Sequence, residues 1–378
     1  MDFLSILQLP ATTLVVYALP FLVALTVIVF IHELGHFLVA RWCGVTVEAF
    51  SIGFGKEIAG WVDRKGTRWK ICWIPLGGYV RFAGDANAAS MPDAETAERP
   101  REPGNFHGKP VWQRAAVVVA GPLANFILAI AIFTVGYGFV GVPYYRPLVA
   151  ETLPGGAAEK AGIRAGDLIV SINGQPTKSF QDVQEAVLFR GGEILTVVVD
   201  RNGNPLNFSV TPYEDEEKDR YGRVAKFARI GVKIDRNAEQ LVERLPLHRA
   251  FAKGVERTGL NIAISLKYLG RIFTGDENGS KLGGAVSIAW VASQAASTGF
   301  FDFVLIIGLI SVGIGLINLF PVPMLDGGHL VFYGIEAALG RPVGPNVQEW
   351  AFRVGFSLIL LLMAFGLFND IGWLTRQS

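Results

Sequence analysis

The sequence predicts a polytopic α-helical membrane protein with about four transmembrane helices, a β-hairpin region on the cytoplasmic side and one α/β domain inserted outside the membrane. Composition is the first reason: 51% of the 378 residues are hydrophobic and only 18% charged, with a mean hydropathy of +0.38, beyond the usual range of soluble domains. Patterning is the second. Four long apolar runs alternate with polar, turn-punctuated segments, and about 20 apolar residues suffice for a helix to cross hydrocarbon. The net charge of +1 points to no nucleic-acid partner; the lipid bilayer is the partner this composition demands.

The first span is expected at 11–40. Glu33 is its only formally charged residue, accompanied by His32, His36 and Tyr17. No Lys or Arg precedes Arg41, so the run lacks the basic start of a cleaved signal and reads as a retained helix. The following loop is rich in basic residues from Arg41 to Arg114, and the positive-inside rule puts it in the cytoplasm with the N-terminus outside. Within it, 46–84 alternates Trp69, Ile71 and Trp73 with Arg68, Lys70 and Cys72 beside an Asp63-Arg64-Lys65-Gly66 turn, the pattern of a membrane-associated β-hairpin. Ala-, Pro- and Glu-rich 85–112 reads as a flexible loop. Cys43 and Cys72, the only cysteines, are too few for a disulfide framework and read as unpaired thiols.

The second span, 113–142, carries Gly121-Pro122, tolerable where neighbouring helices or water satisfy the freed backbone groups. Outside the membrane, 144–213 alternates short β-rich runs with Asn173-Gly174 and Asn202-Gly203 turns around one helix near Phe180. A basic amphipathic helix at 238–272, with Leu247, Phe251 and Val255 at helical spacing, is expected on the membrane surface or against the spans. The third span, 301–331, leads into Asn318 to His329, where Pro321 and Pro323 must interrupt the helix. The fourth is expected at 349–370.

Ionisable groups within a span are costly and mark function. His32 and His36 stand at i and i+4, one above the other on a helix, so each can direct a ring nitrogen at one ion. Glu33 is close enough to reach a water on that ion without being a ligand. This is the H-E-x-x-H arrangement of zinc hydrolases. Such sites usually take three protein ligands, and the residues just downstream offer only Glu48 and Glu57. Asp326 is the better third candidate, because irregular backbone at membrane depth is tolerated where it is buried or lines a cavity.

These motifs resemble those of the site-2 protease family of intramembrane zinc metalloproteases. His32-Glu33-Leu34-Gly35-His36 stands as its H-E-x-x-H, and Asn318, Pro321, Pro323, Leu325, Asp326 and Gly327 match N-x-x-P-x-P-x-L-D-G at every fixed position. The likeness covers nearly the whole chain and is nearest to bacterial, PDZ-containing regulators of the sigma-E type stress response. The run GGAAEKAGIRAGDLIVSINGQPT, within 144–213, resembles a bacterial PDZ domain, in one copy where some members carry two.

The resemblance implies a Zn2+ ion held by His32, His36 and Asp326, with Glu33 as the catalytic base. It implies substrate-binding roles for Asn318 and for Pro122 and Asn125 of the Gly121–Asn125 motif. Asn125 reads equally well as a helix–helix hydrogen bond, and His329 stays outside a ligand set that three donors complete. The family fold would place the protein in the bacterial inner membrane, with the active site toward the cytoplasm and the PDZ domain, a binder of a peptide or substrate terminus, outside it. Its reaction would be regulated intramembrane proteolysis of single-span membrane proteins, such as an anti-sigma factor or remnant signal peptides, with the hairpin edge holding an unwound substrate by main-chain pairing. The reading of another class is a non-catalytic membrane scaffold or metal-handling protein; Glu33 argues against it, because a storage site needs no base.

Overall fold

The computed structural model describes residues 11–84, 104–188, 190–218, 224–235, 241–275 and 283–374. In chain order its elements are α1 (Ala11–Trp42), the strands β1 (Val47–Val62) and β2 (Arg68–Phe82), and α2 (Val111–Val135), which runs into a π-helical turn, Gly136–Val140. Next come β3 (Val142–Tyr144), β4 (Glu151–Thr152), α3 (Ala157–Ala161), β5 (Leu168–Ile172), β6 (Gln175–Pro176), α4 (Phe180–Val187), β7 (Leu195–Arg201) and β8 (Asn204–Val210). The strands β9 (Tyr213–Lys218), β10 (Val224–Arg229), β11 (Val232–Lys233) and β12 (Leu241–Glu243) precede the helices α5 (Leu247–Thr274), α6 (Ala285–Thr298), α7 (Phe300–Asn318), α8 (Asp326–Leu339) and α9 (Pro345–Leu374). They form two units, one of Met1–Gly136, Leu247–Asn278 and Leu282–Gly372, the other built on Tyr137–Pro246.

Four helices are long and apolar enough to cross a membrane: Val16–Trp42, Val111–Val140, Phe300–Asn318 and Pro345–Gly372. α2 is their hub, packed against α1, α5, α7 and α8. Several polar side chains are buried between these helices and paired there. Ser311 Oγ of α7 donates to the Asn125 carbonyl of α2 at 2.9 Å. Arg114 grips Glu336 of α8 through both nitrogens of its fork, at 3.0 and 2.6 Å, and lies over the Tyr333 ring. Asp370 of α9 accepts from the Gly284 and Val286 amides at 3.0 Å and from Ser287, so a carboxylate caps the positive end of α6.

Three expected boundaries are corrected. The third span does not run from 301 to 331. It stops at Asn318, because Pro321 and Pro323 have no N–H to continue a helix, and Asp326 opens the separate helix α8. The amphipathic helix starts at Leu247 instead of 238: 241–243 are strand, and a residue before a proline such as Pro246 is disfavoured in helix. Of the expected flexible loop at 85–112, residues 85–103 lie outside the described residues, and Val111 already belongs to α2.

The hairpin doubles back on itself. Phe50 of β1 pairs with both Trp69 and Val80 of β2, so 78–82 forms an outer segment that, among the described residues, pairs with 47–52. The bend comes at Gly77, with φ +104°, where a Cβ would meet the Phe54 ring. Trp69 fixes the hairpin to α1, stacked on Phe50 with centroids 4.4 Å apart and meeting Phe37 edge-on at 5.1 Å. Asp63 in the turn pairs with Arg41 at the end of α1. Burial alone would raise the Asp63 carboxyl, but hydrogen bonds from Trp69 Nε1, the Lys65 amide, Arg41 and the Thr67 amide outweigh it and hold the group down to about 2.

The second unit holds a four-stranded antiparallel sheet in the order β6-β5-β7-β8. Its two tight turns place Asn173 and Asn202 at φ 50° and 54°, the left-handed geometry that Asn-Gly hairpins favour. Val149, Ile169, Leu195, Val197, Val199 and Ile230 fill its core. The expected limits 144–213 are too short, because β11 returns to pair with β4 and Ala228 and Ile230 join that core. Asp167, 1% exposed, accepts from Arg201 at 2.7 and 2.8 Å. These bonds outweigh burial and, with the Arg164 amide, keep its carboxyl below the usual carboxylate range.

Candidate metal centre

One turn of α1 carries His32, Glu33 and His36, and the first turn of α8 brings Asp326 to them. His32 Nε2 lies 3.2 Å from His36 Nε2 and 3.1 Å from Asp326 Oδ2, and His36 Nε2 lies 3.5 Å from Asp326 Oδ1. The three side chains are only 11, 12 and 16% exposed. His36 Nδ1–H donates to the Val117 carbonyl at 2.8 Å, which leaves the Nε2 lone pair free to face inward. Asp326 Oδ2 is buried without a hydrogen-bond donor. Two imidazole nitrogens and a carboxylate crowded this closely repel one another unless a cation sits among them.

The donor set fits zinc. Tetrahedral zinc with bonds of about 2.0–2.1 Å holds its ligand atoms about 3.3–3.4 Å apart; His32 Nε2 stands near that spacing from both His36 Nε2, at 3.2 Å, and Asp326 Oδ2, at 3.1 Å, while the other carboxylate oxygen, Oδ1, lies 3.5 Å from His36 Nε2. Among the described residues, His32, His36 and Asp326 are the group of metal-ligating side chains that converges in this way.

A cavity of about 340 Å³ opens onto the triangle, lined by His32, Glu33, His36, Asn318, Asp326 and His329 and walled by Gly77 to Val80 of β2. A Cβ at Gly78 would stand 3.4 Å from Glu33 Cγ, so the outer segment of the hairpin runs directly beside the base. Met324, just before Asp326, has φ +84°, a strained backbone of the kind that clusters at functional sites.

Of the residues singled out in the sequence, His32, Glu33, His36, Asn318 and Asp326 therefore meet around one cavity. Asn125 and Pro122 do not line it. Both are buried in α2, Asn125 with its amide nitrogen 3.2 Å from His32 Nδ1 and Pro122 with its carbonyl against Gly315 of α7. Their burial suits helix packing, the reading that the Asn125 side chain equally allowed. Sequence reasoning missed the Val117 carbonyl, which no residue type announces, and Gly121, where a Cβ would run into the His36 and His32 rings. The spacing of Val117, Gly121 and Asn125 at i, i+4 and i+8 was the available signal for the latter.

A glutamate beside such a donor triangle, carried on helices of this apolarity, places the protein among membrane metallopeptidases. The sequence model of Peptidase family M50 matches residues 20–362. A zinc metalloprotease by name from Rhizobium meliloti is 44% identical over 363 residues, 95% of this chain and 97% of its own. One from Mesorhizobium japonicum is 46% identical over 358 residues, 93% and 97% of the two chains, and the metalloprotease MmpA of Caulobacter vibrioides is 38% identical over 376, 93% and 94%. The chain belongs to Peptidase family M50.

Proposed function

We propose that the protein is an intramembrane zinc endopeptidase that cleaves single-span membrane proteins, with His32, His36 and Asp326 as zinc ligands and Glu33 as general base. The convergence of three buried donors from two distant helices, at spacings that suit one ion, carries this reading. When bound, zinc supplies the Lewis acidity that activates water and polarises the peptide carbonyl. Glu33 Oε accepts a proton as water adds to the scissile carbon and returns it to the amine nitrogen as the C–N bond breaks. Asn318, on the cavity wall, orients the scissile segment or donates to the developing oxyanion.

Among the described residues the outer segment 78–82 pairs with other strand on one side only, and its Gly78 lies beside Glu33. An unwound substrate that pairs with it would have its main chain delivered to the base. The second unit acts as a PDZ-like module: a cavity of about 890 Å³ between α4 (Phe180, Val183, Val187) and Ile230 to Lys233 takes an extended peptide or a substrate terminus. The basic loop between the first two spans favours a bacterial inner-membrane orientation with the active site toward the cytoplasm and this unit outside. An anti-sigma factor already trimmed outside, or a remnant signal peptide, is the substrate class proposed.

The test is cleavage of a single-span reporter by purified protein in detergent, with zinc quantified in parallel. Glu33→Gln should keep zinc and lose about 10²- to 10⁴-fold in rate. A wild type that holds zinc and cuts no apolar helix in a panel would favour the scaffold or metal-handling reading.

A further inference from the structure

We propose that Asn125 is the positioning residue for His32: its Oδ1 accepts the proton on His32 Nδ1 and so keeps Nε2 deprotonated and aimed at the ion. This rests on the reading of His32 as a zinc ligand.

α2 lays one stripe against the two histidines. Val117, Gly121 and Asn125 stand four residues apart, hence on one face. The Val117 carbonyl accepts the Nδ1 proton of His36. Gly121 leaves room for both rings, since a Cβ there would overlap the His36 ring and stand 2.9 Å from His32 Cε1. Asn125 completes the series at His32 Nδ1, 3.2 Å away, and is 0% exposed. Its place is held from behind, because Ser311 Oγ donates to its carbonyl and Gly315 packs against its Cβ.

Proton bookkeeping decides which end of the amide faces the ring. A neutral imidazole carries one proton, and a ring that ligates through Nε2 must carry it on Nδ1. A buried Nδ1–H needs an acceptor, and an amide nitrogen is none. Asn125 Oδ1 is itself buried with no hydrogen-bond partner. The two ends of a primary amide have the same shape, and their partners determine which faces which. Turning the group half a revolution pairs Oδ1 with Nδ1–H, and Nδ2 takes the place where Oδ1 had no donor. Metal-ligating histidines as a rule donate their other ring N–H to such a partner, and its loss typically costs about 10- to 100-fold in metal affinity.

The experiment measures zinc affinity by chelator competition for wild type, Asn125→Ala and Asn125→Asp in detergent, alongside ¹⁵N spectra of histidine-labelled wild type loaded with zinc. Asn125→Ala should bind zinc about 10- to 100-fold more weakly, Asn125→Asp should keep near-wild-type affinity because it retains an acceptor, and His32 should show a protonated Nδ1. Equal affinity in Asn125→Ala and wild type, equal loss in the Asp variant with the fold intact, or an unprotonated His32 Nδ1 would each overturn the proposal. If Asn125→Ala does not fold, Asn125→Leu, of similar volume and without an acceptor, takes its place with the same expected loss. A wild type that holds no zinc would instead overturn the metal-centre reading.

Discussion

The two units solve opposite problems with the same alphabet. In the unit built on Tyr137–Pro246, Val149, Ile169, Leu195, Val197 and Val199 are within 2% of complete burial, and removal of apolar area from water drives folding. In the helical unit Leu361, Met363 and Phe368 of α9 stand outside, whereas His32, Arg114, Asn125, Ser311 and Asp370 are buried. Where lipid is as apolar as leucine, side-chain packing and hydrogen bonds between helices replace the hydrophobic drive. Chemistry can therefore be stored inside the helical unit at polar positions between its helices.

The largest effect should come from removing a donor. Asp326→Ala should lose stoichiometric zinc and all cleavage above background while the β-rich unit keeps its resistance to limited proteolysis; loss of that resistance would mean the units do not divide the work as described. Next is the Arg114–Glu336 pair. Arg114→Ala should destabilise the helical unit by about 3–5 kcal/mol by leaving Glu336 buried and uncompensated, whereas Arg114→Met with Glu336→Leu should recover most of it, as read by thermal unfolding in detergent.

The comparison sharpens with two leucines. Leu195→Ala in the β-rich core should cost about 2–5 kcal/mol, and Leu361→Ala on the outer face of α9 within about 0.5 kcal/mol. The smallest effect concerns pH. Asp63 is held down to about 2, so its contribution to hairpin stability is present above the ordinary carboxylate pKa near 3.8 and is lost as the pH falls through about 2. Trp69 fluorescence should report the loosening between about pH 4 and pH 2, and Asp63→Asn should remove that dependence. Asp167, also depressed, should make the β-rich unit lose stability in the same direction.

Much of the site was legible because its chemistry needs residue types that are rare in a span. His32, Glu33 and His36 stood out against an apolar background, and the proline pair before Asp326 announced broken helix. The spans were legible from length alone. What stayed hidden depended on tertiary partners: the Val117 carbonyl has no side-chain signature, and Asn125 read equally as a substrate contact or a helix bridge until its depth was known. The β-rich boundary failed at 213 because β11 pairs with a strand far back in the chain, and no local pattern carries that pairing.

The break between α7 and α8 has a consequence for how the protein is made. The ribosome delivers His32, Glu33 and His36 into the bilayer with the first helix, but Asp326 follows only after α2, the β-rich unit and α7 have been synthesised. Through most of translation the nascent chain carries a base and two imidazoles with no third donor. A chain released before Asp326 therefore holds the base and two of the three donors, and the metal centre can be completed only once α8 is in place.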